Sequence, residues 1–238
     1  MHGAGPLRPM HPPISLLACP TCENLAFSLQ ALPVCQIVAK FLPSISRMLG
    51  SMMIETIQNA DLSILHAIQG AASPALDTFM VGFTTLGEFG ALWAIVGAIM
   101  IALNKHRTFG IAIFVAIALA FVIGDIGLKN IIERPRPFLV DPVLTTSLIS
   151  LPDSFSCPSG HSSASFAAAT VICLAPLAHR WLKPVAMAAA AAIAFSRLYL
   201  AVHNPTDVIF GALLGIACGC LAVCIVKAIE SRRKGRKA

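Results

Sequence analysis

Charge is scarce in this chain. Asp, Glu, Lys and Arg make up only 12% of its 238 residues, whereas hydrophobic residues reach 57% and the mean hydropathy is +0.80. Soluble domains hold about 45–50% apolar residues, so the composition excludes one and describes an integral membrane protein. Also missing is the ten-residue alternation of apolar and polar side chains that marks outer-membrane strands. The apolar runs are instead helical in length and rich in Ala, Leu, Ile, Val and Gly, which predicts an all-α transmembrane bundle. Acidic residues are few, 11 against 17 Lys and Arg, for a net charge of +6. The cations flank apolar spans and form no continuous stripe, so the excess reads as membrane orientation, with no nucleic-acid partner.

Two further absences narrow the reading. The 8 cysteines show no disulfide framework: Cys173, Cys218, Cys220 and Cys224 sit inside apolar helices, where thiols behave as small apolar groups. Cys19 and Cys22 form a single CxxC without a partner pair, which favours an irregular segment over a zinc or redox site. No clean secretory signal is visible, because Pro6, Pro9, Pro12, Pro13, Pro20, Pro33 and Pro43 interrupt the first fifty residues. Residues 1–52 are therefore expected to be an irregular extension, with Met52 or Met53 an alternative start. Residues 53–229 form the membrane domain and 230–238 a basic cytoplasmic tail.

Residues 53–71 alternate Ile54, Ile57, Leu62, Leu65 and Ile68 with Glu55, Asp61 and Gln69, the pattern of an amphipathic helix, either lying in the interface or packed on the protein. Residues 75–86 and 91–103 are apolar and separated by Gly87, Glu88 and Gly90, as two short spans or one broken one. Clearer spans cover 109–132, 162–178, 184–200 and 208–229, each near the roughly 20 residues that cross a bilayer. Five to six membrane segments are expected. Lys105, Arg107, Arg180, Lys183, Lys227 and the run from Arg232 to Lys237 fall on alternate ends of successive spans, which assigns that face to the cytoplasm of a multi-pass plasma-membrane protein. Gly211, Gly215 and Gly219 make a small-residue stripe for close helix packing, within the chain or between chains, and the oligomeric state is open.

The remaining cations of this region, Lys129, Arg134, Arg136 and Arg197, lie at the opposite, extracytoplasmic ends of the spans, in or beside three polar clusters. In the first, from Lys129 to Pro137, two prolines turn the chain out of helix, so Lys129 and Arg136 can face one site while Asp125 partners Lys129 one turn earlier. The second, Pro158-Ser159-Gly160-His161, precedes a helix whose N-terminal N–H groups favour an anion. There Ser159 adds a hydroxyl, Gly160 permits close approach, and His161 can carry a proton. In the third, Ser196-Arg197 is followed by His203-Asn204-Pro205-Thr206-Asp207. Asn204 and Pro205 suit the cap and first position of a helix, which brings Asp207 back towards His203.

An Asp-oriented histidine serves as base or as nucleophile. Two helix N-termini and three cations converging beside two histidines match what phosphoryl transfer needs: donors around a tetrahedral anion, an in-line nucleophile, and a proton for the leaving oxygen. His203 supplies the nucleophile, its tautomer set by Asp207, and His161 the proton. Carboxylates near the site are few and Lys129, Arg136 and Arg197 occupy the role of a magnesium ion, so neither a metal nor another cofactor is expected.

Lys129 with Arg136-Pro137, Pro158-Ser159-Gly160-His161, and Ser196-Arg197 with His203 and Asp207 resemble, in order and in gaps, the three-part signature of the type 2 phosphatidic acid phosphatase superfamily. The resemblance runs from about Met53 to Ile229. It implies a phosphohistidine on His203, His161 as acid to the leaving group, and phosphate held by Lys129, Arg136, Ser159, Gly160 and Arg197. Bacterial membrane members of this family act on phosphatidate, phosphatidylglycerophosphate or undecaprenyl diphosphate. An outward-facing site favours the last, and water or another acceptor can complete the reaction. Cys157 departs from the family, which commonly has an aromatic residue there, and is expected to alter the lip of the pocket. The alternative of another class, a scaffold or transporter, would place polar groups at the midplane, whereas 164–177 and 185–195 are almost wholly apolar.

Overall fold

The computed structural model describes residues 33–104, 106–145, 148–177 and 179–236, with the side chains of 33–51 and of Phe89 left aside. The Cys19–Cys22 motif lies outside them. The elements are α1 (Pro33–Gly70), α2 (Pro74–Gly87), α3 (Ala91–Ala102) and α4 (Arg107–Ala120). From α4 the chain continues through a π-helical stretch (Phe121–Leu128) into α5 (Lys129–Ile132). Then follow α6 (Pro137–Val140), α7 (Gly160–Leu174), α8 (Leu182–Tyr199) and α9 (Pro205–Gly235). All the regular structure among the described residues is helical, as the composition requires.

The chain divides into two compact units, Met1–Thr56 and Ile57–Ala238. In the first, helix begins at Pro33, well before the irregular extension was expected to end. Proline is tolerated in a first helical turn, and Pro43 forgoes its own backbone hydrogen bond without ending the helix.

In the second unit α7 and α9 form the central pair, with α4 and α8 packed against them. Gly211, Gly215 and Gly219 face α7, and a Cβ on Gly211 or Gly219 would come within 2.6 Å of the carbonyl oxygens of Ser159 or Ala167. The glycine stripe is therefore a seam within the chain, where only a bare Cα lets the two backbones meet. Around it Trp93, Ile113, Ala116, Ala120, Val171, Ala190, Ile193 and Ala222 form a buried core. Buried Trp93 satisfies its indole N–H by donating to Ser165 Oγ at 3.0 Å. The α1 segment within this unit is packed on the protein: Leu65 is fully buried, and Leu62 joins it against Leu144, Leu198 and Ala201. Ile57 and Ile64 remain on its exposed face.

By length and apolarity two helical runs among the described residues qualify as membrane spans, Arg107–Val140 and Pro205–Gly235. A third arises if α2 and α3, bent by 52° at their junction, act as one broken span. Gly90 makes that bend with a φ of +68°, a conformation open to glycine. The expected five to six spans are not reached by this criterion. The 15 residues of α7 cover only about 22 Å against a hydrocarbon thickness of about 30 Å. Helix α8 carries Lys183 and Arg197 near its two ends. At one end of the bundle Thr108 donates to Glu230 at 2.8 Å and Lys227 lies over the Phe109 ring. The start of α4 thus lies beside the end of α9, and the three polar clusters gather at the opposite ends of these helices.

Candidate active site

Three chain segments bring the polar clusters together. Helix α9 opens on Asn204 as cap, with Pro205 at its first position and Asp207 closing a capping box. Helix α7 opens on Ser159, and α5 ends with Glu133 in a left-handed turn before the Arg134-Pro135-Arg136-Pro137 exit. Lys129, Arg136, Arg197, Gly160, His161 and His203 all line one cavity of about 880 Å³. Five of these residues are charged or imidazole side chains, carried by three helices (α5, α7 and α8) and by the two segments that precede α6 and α9.

Arg136, 2% exposed, is held from several sides. Its Nε donates to the Ser154 carbonyl at 2.6 Å and its Nη1 to the Val202 carbonyl at 2.7 Å, while Nη2 reaches Ser154 Oγ and the Phe155 carbonyl. Nη1 also lies 3.4 Å from His203 Nε2. A guanidinium only donates, so this contact favours the tautomer with its lone pair on Nε2 and its proton on Nδ1. Lys129 Nζ pairs with Asp125 at 2.5 Å, the expected i,i+4 partnership. Arg197 donates from Nη1 to Thr84 Oγ1, and its buried Nε has no partner among the described residues. Such an orphaned cationic donor is costly unless an anion completes it. The imidazole of His203 is held well below its ordinary pKa by burial first and then by the surrounding Arg136, Arg197 and Lys129.

Two site residues sit otherwise than the sequence implied. Asp207 Oδ2 lies 4.0 Å from His203 Nδ1, an ion-pair separation longer than a hydrogen bond, and Nδ1 has no partner among the described residues. The carboxylate is occupied elsewhere. Oδ2 accepts from the Asn204 N–H at 2.9 Å and from Ser156 Oγ at 2.5 Å, and Oδ1 accepts from Arg134 Nη1 at 2.7 Å. Ser159 is absent from the cavity wall: its fully buried hydroxyl caps α7, accepting from the Ser162 N–H and from Ser162 Oγ. Gly160 does line the cavity, but a Cβ there would come within 2.9 Å of the Asp125 carboxylate, so its bareness serves that packing. Cys157 does not line the cavity either. Burial, followed by the charge of Asp207, pushes its thiol up to about 12.

Sequence reasoning missed the supports. Ser154 and Ser156 come from an irregular loop without a motif. Asp61, 2% exposed, reaches Arg134 Nη2 at 2.7 Å across 73 positions of chain. The available signal was a carboxylate on the same face of α1 as Leu62 and Leu65. Loop residues Ile149, Ser150, Leu151, Pro152 and Ser154 also line the cavity.

Cations packed around two imidazoles inside an apolar helical bundle define a membrane enzyme that handles phosphate on lipids. The PAP2 superfamily profile matches residues 108–230. An undecaprenyl-diphosphatase of Sulfolobus acidocaldarius is 33% identical over 158 residues, covering 63% of this chain and 74% of the relative. A lipid A 4'-phosphatase of Bacteroides thetaiotaomicron is 30% identical, over 68% and 75%. The crystal structure of a PAP2-type phosphatidylglycerolphosphate phosphatase from Bacillus subtilis superposes with a TM-score of 0.61 at 26% identity, covering 82% of this chain and 96% of that one. The chain belongs to the PAP2 superfamily and is a membrane phosphatase acting on lipid phosphates.

Proposed function

We propose that the protein hydrolyses undecaprenyl diphosphate at the extracytoplasmic face of the plasma membrane through a phosphohistidine on His203. The observation that carries the chemistry is the shared cavity: His161, His203, Lys129, Arg136 and Arg197 border one space of about 880 Å³. Lys129, Arg136 and Arg197 hold the terminal phosphate, with the unpartnered Arg197 Nε as one waiting donor. The Gly160 backbone at the start of α7 contributes the positive end of a helix dipole. The Ser159 hydroxyl, committed to its cap, holds that backbone in place.

The Nε2 lone pair of His203 attacks phosphorus, the bond from phosphorus to the bridging oxygen breaks, and His161 gives its proton to that oxygen, releasing the lipid monophosphate. Water, deprotonated by His161, then attacks the phosphohistidine and frees inorganic phosphate. Asp207, 4.0 Å from Nδ1, stabilises the positive charge that develops on the imidazole. No step calls for a metal. The outward face follows from the basic residues at the opposite helix ends. The choice of lipid draws support from the name of the Sulfolobus relative.

The test is phosphate release by purified protein from undecaprenyl diphosphate, phosphatidylglycerophosphate, phosphatidate and a lipid A phosphate, beside His203→Ala and His161→Ala. The highest kcat/KM is expected on the diphosphate, with an acid-labile phosphoenzyme lost in His203→Ala. A higher kcat/KM on any monoester lipid would replace the substrate, and an undiminished phosphoenzyme in His203→Ala would replace the nucleophile.

A further inference from the structure

Asp61, Arg134 and Asp207 form a continuous chain of charge, with both carboxylates buried and the Arg134 side chain 17% exposed. Arg134 places Nη2 2.7 Å from Asp61 Oδ2 and Nη1 2.7 Å from Asp207 Oδ1. Gln58 Oε1 accepts from Nη2 at 2.7 Å, and Thr206 donates to Asp61 through both its N–H and its hydroxyl. Asp61 and Asp207 are almost fully buried. None of Gln58, Asp61, Arg134 or Thr206 borders the cavity that His161 and His203 share. A buried carboxylate outside the cavity wall, and a cation that belongs to none of the phosphate holders, call for another role.

We infer that Asp61 and Arg134 are positioning residues that act on His203 through Asp207, with Asp61 setting how much of the Arg134 charge falls on that carboxylate. The inference rests on the reading of His203 as nucleophile. Asp207 carries the negative charge opposite the imidazolium character that His203 gains as it attacks. Arg134 opposes that charge and fixes Oδ1, while Ser156 and Asn204 fix Oδ2. Asp61 in turn neutralises Arg134. Neutralising Asp61 leaves the guanidinium uncompensated beside Asp207, so the imidazole is harder to protonate. Removing the guanidinium has the opposite effect, because Arg134 stands nearer to His203 in the chain of contacts than Asp61 does.

The other charged groups facing His203 are Arg136, Lys129 from α5, Arg197 from α8 and His161 from α7. They are the same in every variant compared, so differences between variants report the Asp61–Arg134 pair.

The experiment is the pH profile of kcat/KM for phosphate release from one lipid substrate, with trapping of the phosphohistidine in parallel. Asp61→Asn is expected to move the acid limb down by roughly half a pH unit. Asp61→Asn with Arg134→Gln, a neutral pair of similar shape, is expected to move it up. The double variant carries the test alone if Asp61→Asn does not fold, since an uncharged pair avoids an unpaired buried ion. Thr206→Val removes the hydroxyl that donates to Asp61 and accepts from Arg134 Nη1, keeps the backbone N–H, and alters no charge; it is expected to lower thermal stability while leaving the limb in place. Limbs of the charge variants within about 0.2 unit of wild type, or shifted in one common direction, with phosphohistidine still formed, would overturn the inference and leave the nucleophile standing. Failure of the wild type to trap phosphohistidine would instead remove the reading on which it rests.

Discussion

Arg136→Lys keeps the positive charge of the cavity and removes only the fork. In the wild type the guanidinium donates to the carbonyls of Ser154, Val202 and Phe155 and to Ser154 Oγ, and touches His203 Nε2. It thereby ties the 154–155 loop to the segment that carries His203. A lysine ammonium has three donors radiating from one atom and cannot reach acceptors on two sides of a planar fork. At least two buried acceptors therefore lose their partner, at about 1–3 kcal/mol each, or about 2–6 kcal/mol in all. Expressed in the transition state, that range is a loss of roughly 30-fold to 20,000-fold in kcat/KM. Part of it is expected in the ground state as a lowered Tm, because the carbonyls belong to the resting fold. The assay is phosphate release in detergent at limiting and saturating lipid, with thermal unfolding of the same preparations. A variant within threefold of wild type in kcat/KM, with unchanged Tm, would refute the reasoning: charge alone would then suffice.

Turnover is expected to persist in excess chelator, since Lys129, Arg136 and Arg197 supply the positive charge; collapse restored by added magnesium would contradict this. Gly215→Val places a side chain against the Ser163 carbonyl and the Ala167 N–H and should cost about 1–3 kcal/mol through overpacking; an unaltered Tm would show that the seam yields. His203 is held below its ordinary pKa by burial and by neighbouring cations, so it remains an unprotonated nucleophile as pH falls through 6.5. The acid limb of kcat/KM should accordingly lie below that value, and a limb above it, for diphosphate and monoester substrates alike, would contradict the assignment.

The membrane class, the helices, the Asp125–Lys129 pair and the Asn204-Pro205 start of α9 were legible because each depends on composition or on residues within one helical turn. The convergence of the three polar clusters was legible for a related reason: each lies at the end of an apolar run of known length, so the order of spans puts them at one face. The span count was less legible, because hydropathy shows where apolar residues run but not that α7 is short or that α2 and α3 meet at a bend.

Long-range polar partnership had no local trace. That Asp207 spends its oxygens on Arg134, Ser156 and Asn204 instead of closing on His203, that Ser159 turns inward, and that Asp61 crosses from α1 to Arg134 are outcomes of packing. The sequence by itself determined which chemical groups stand at the ends of which helices, since covalent spacing and the 3.6-residue period act within a single element. Only the tertiary structure decided which of those groups meet, because a buried donor takes whichever acceptor the packed backbone brings within reach, however distant it is along the chain.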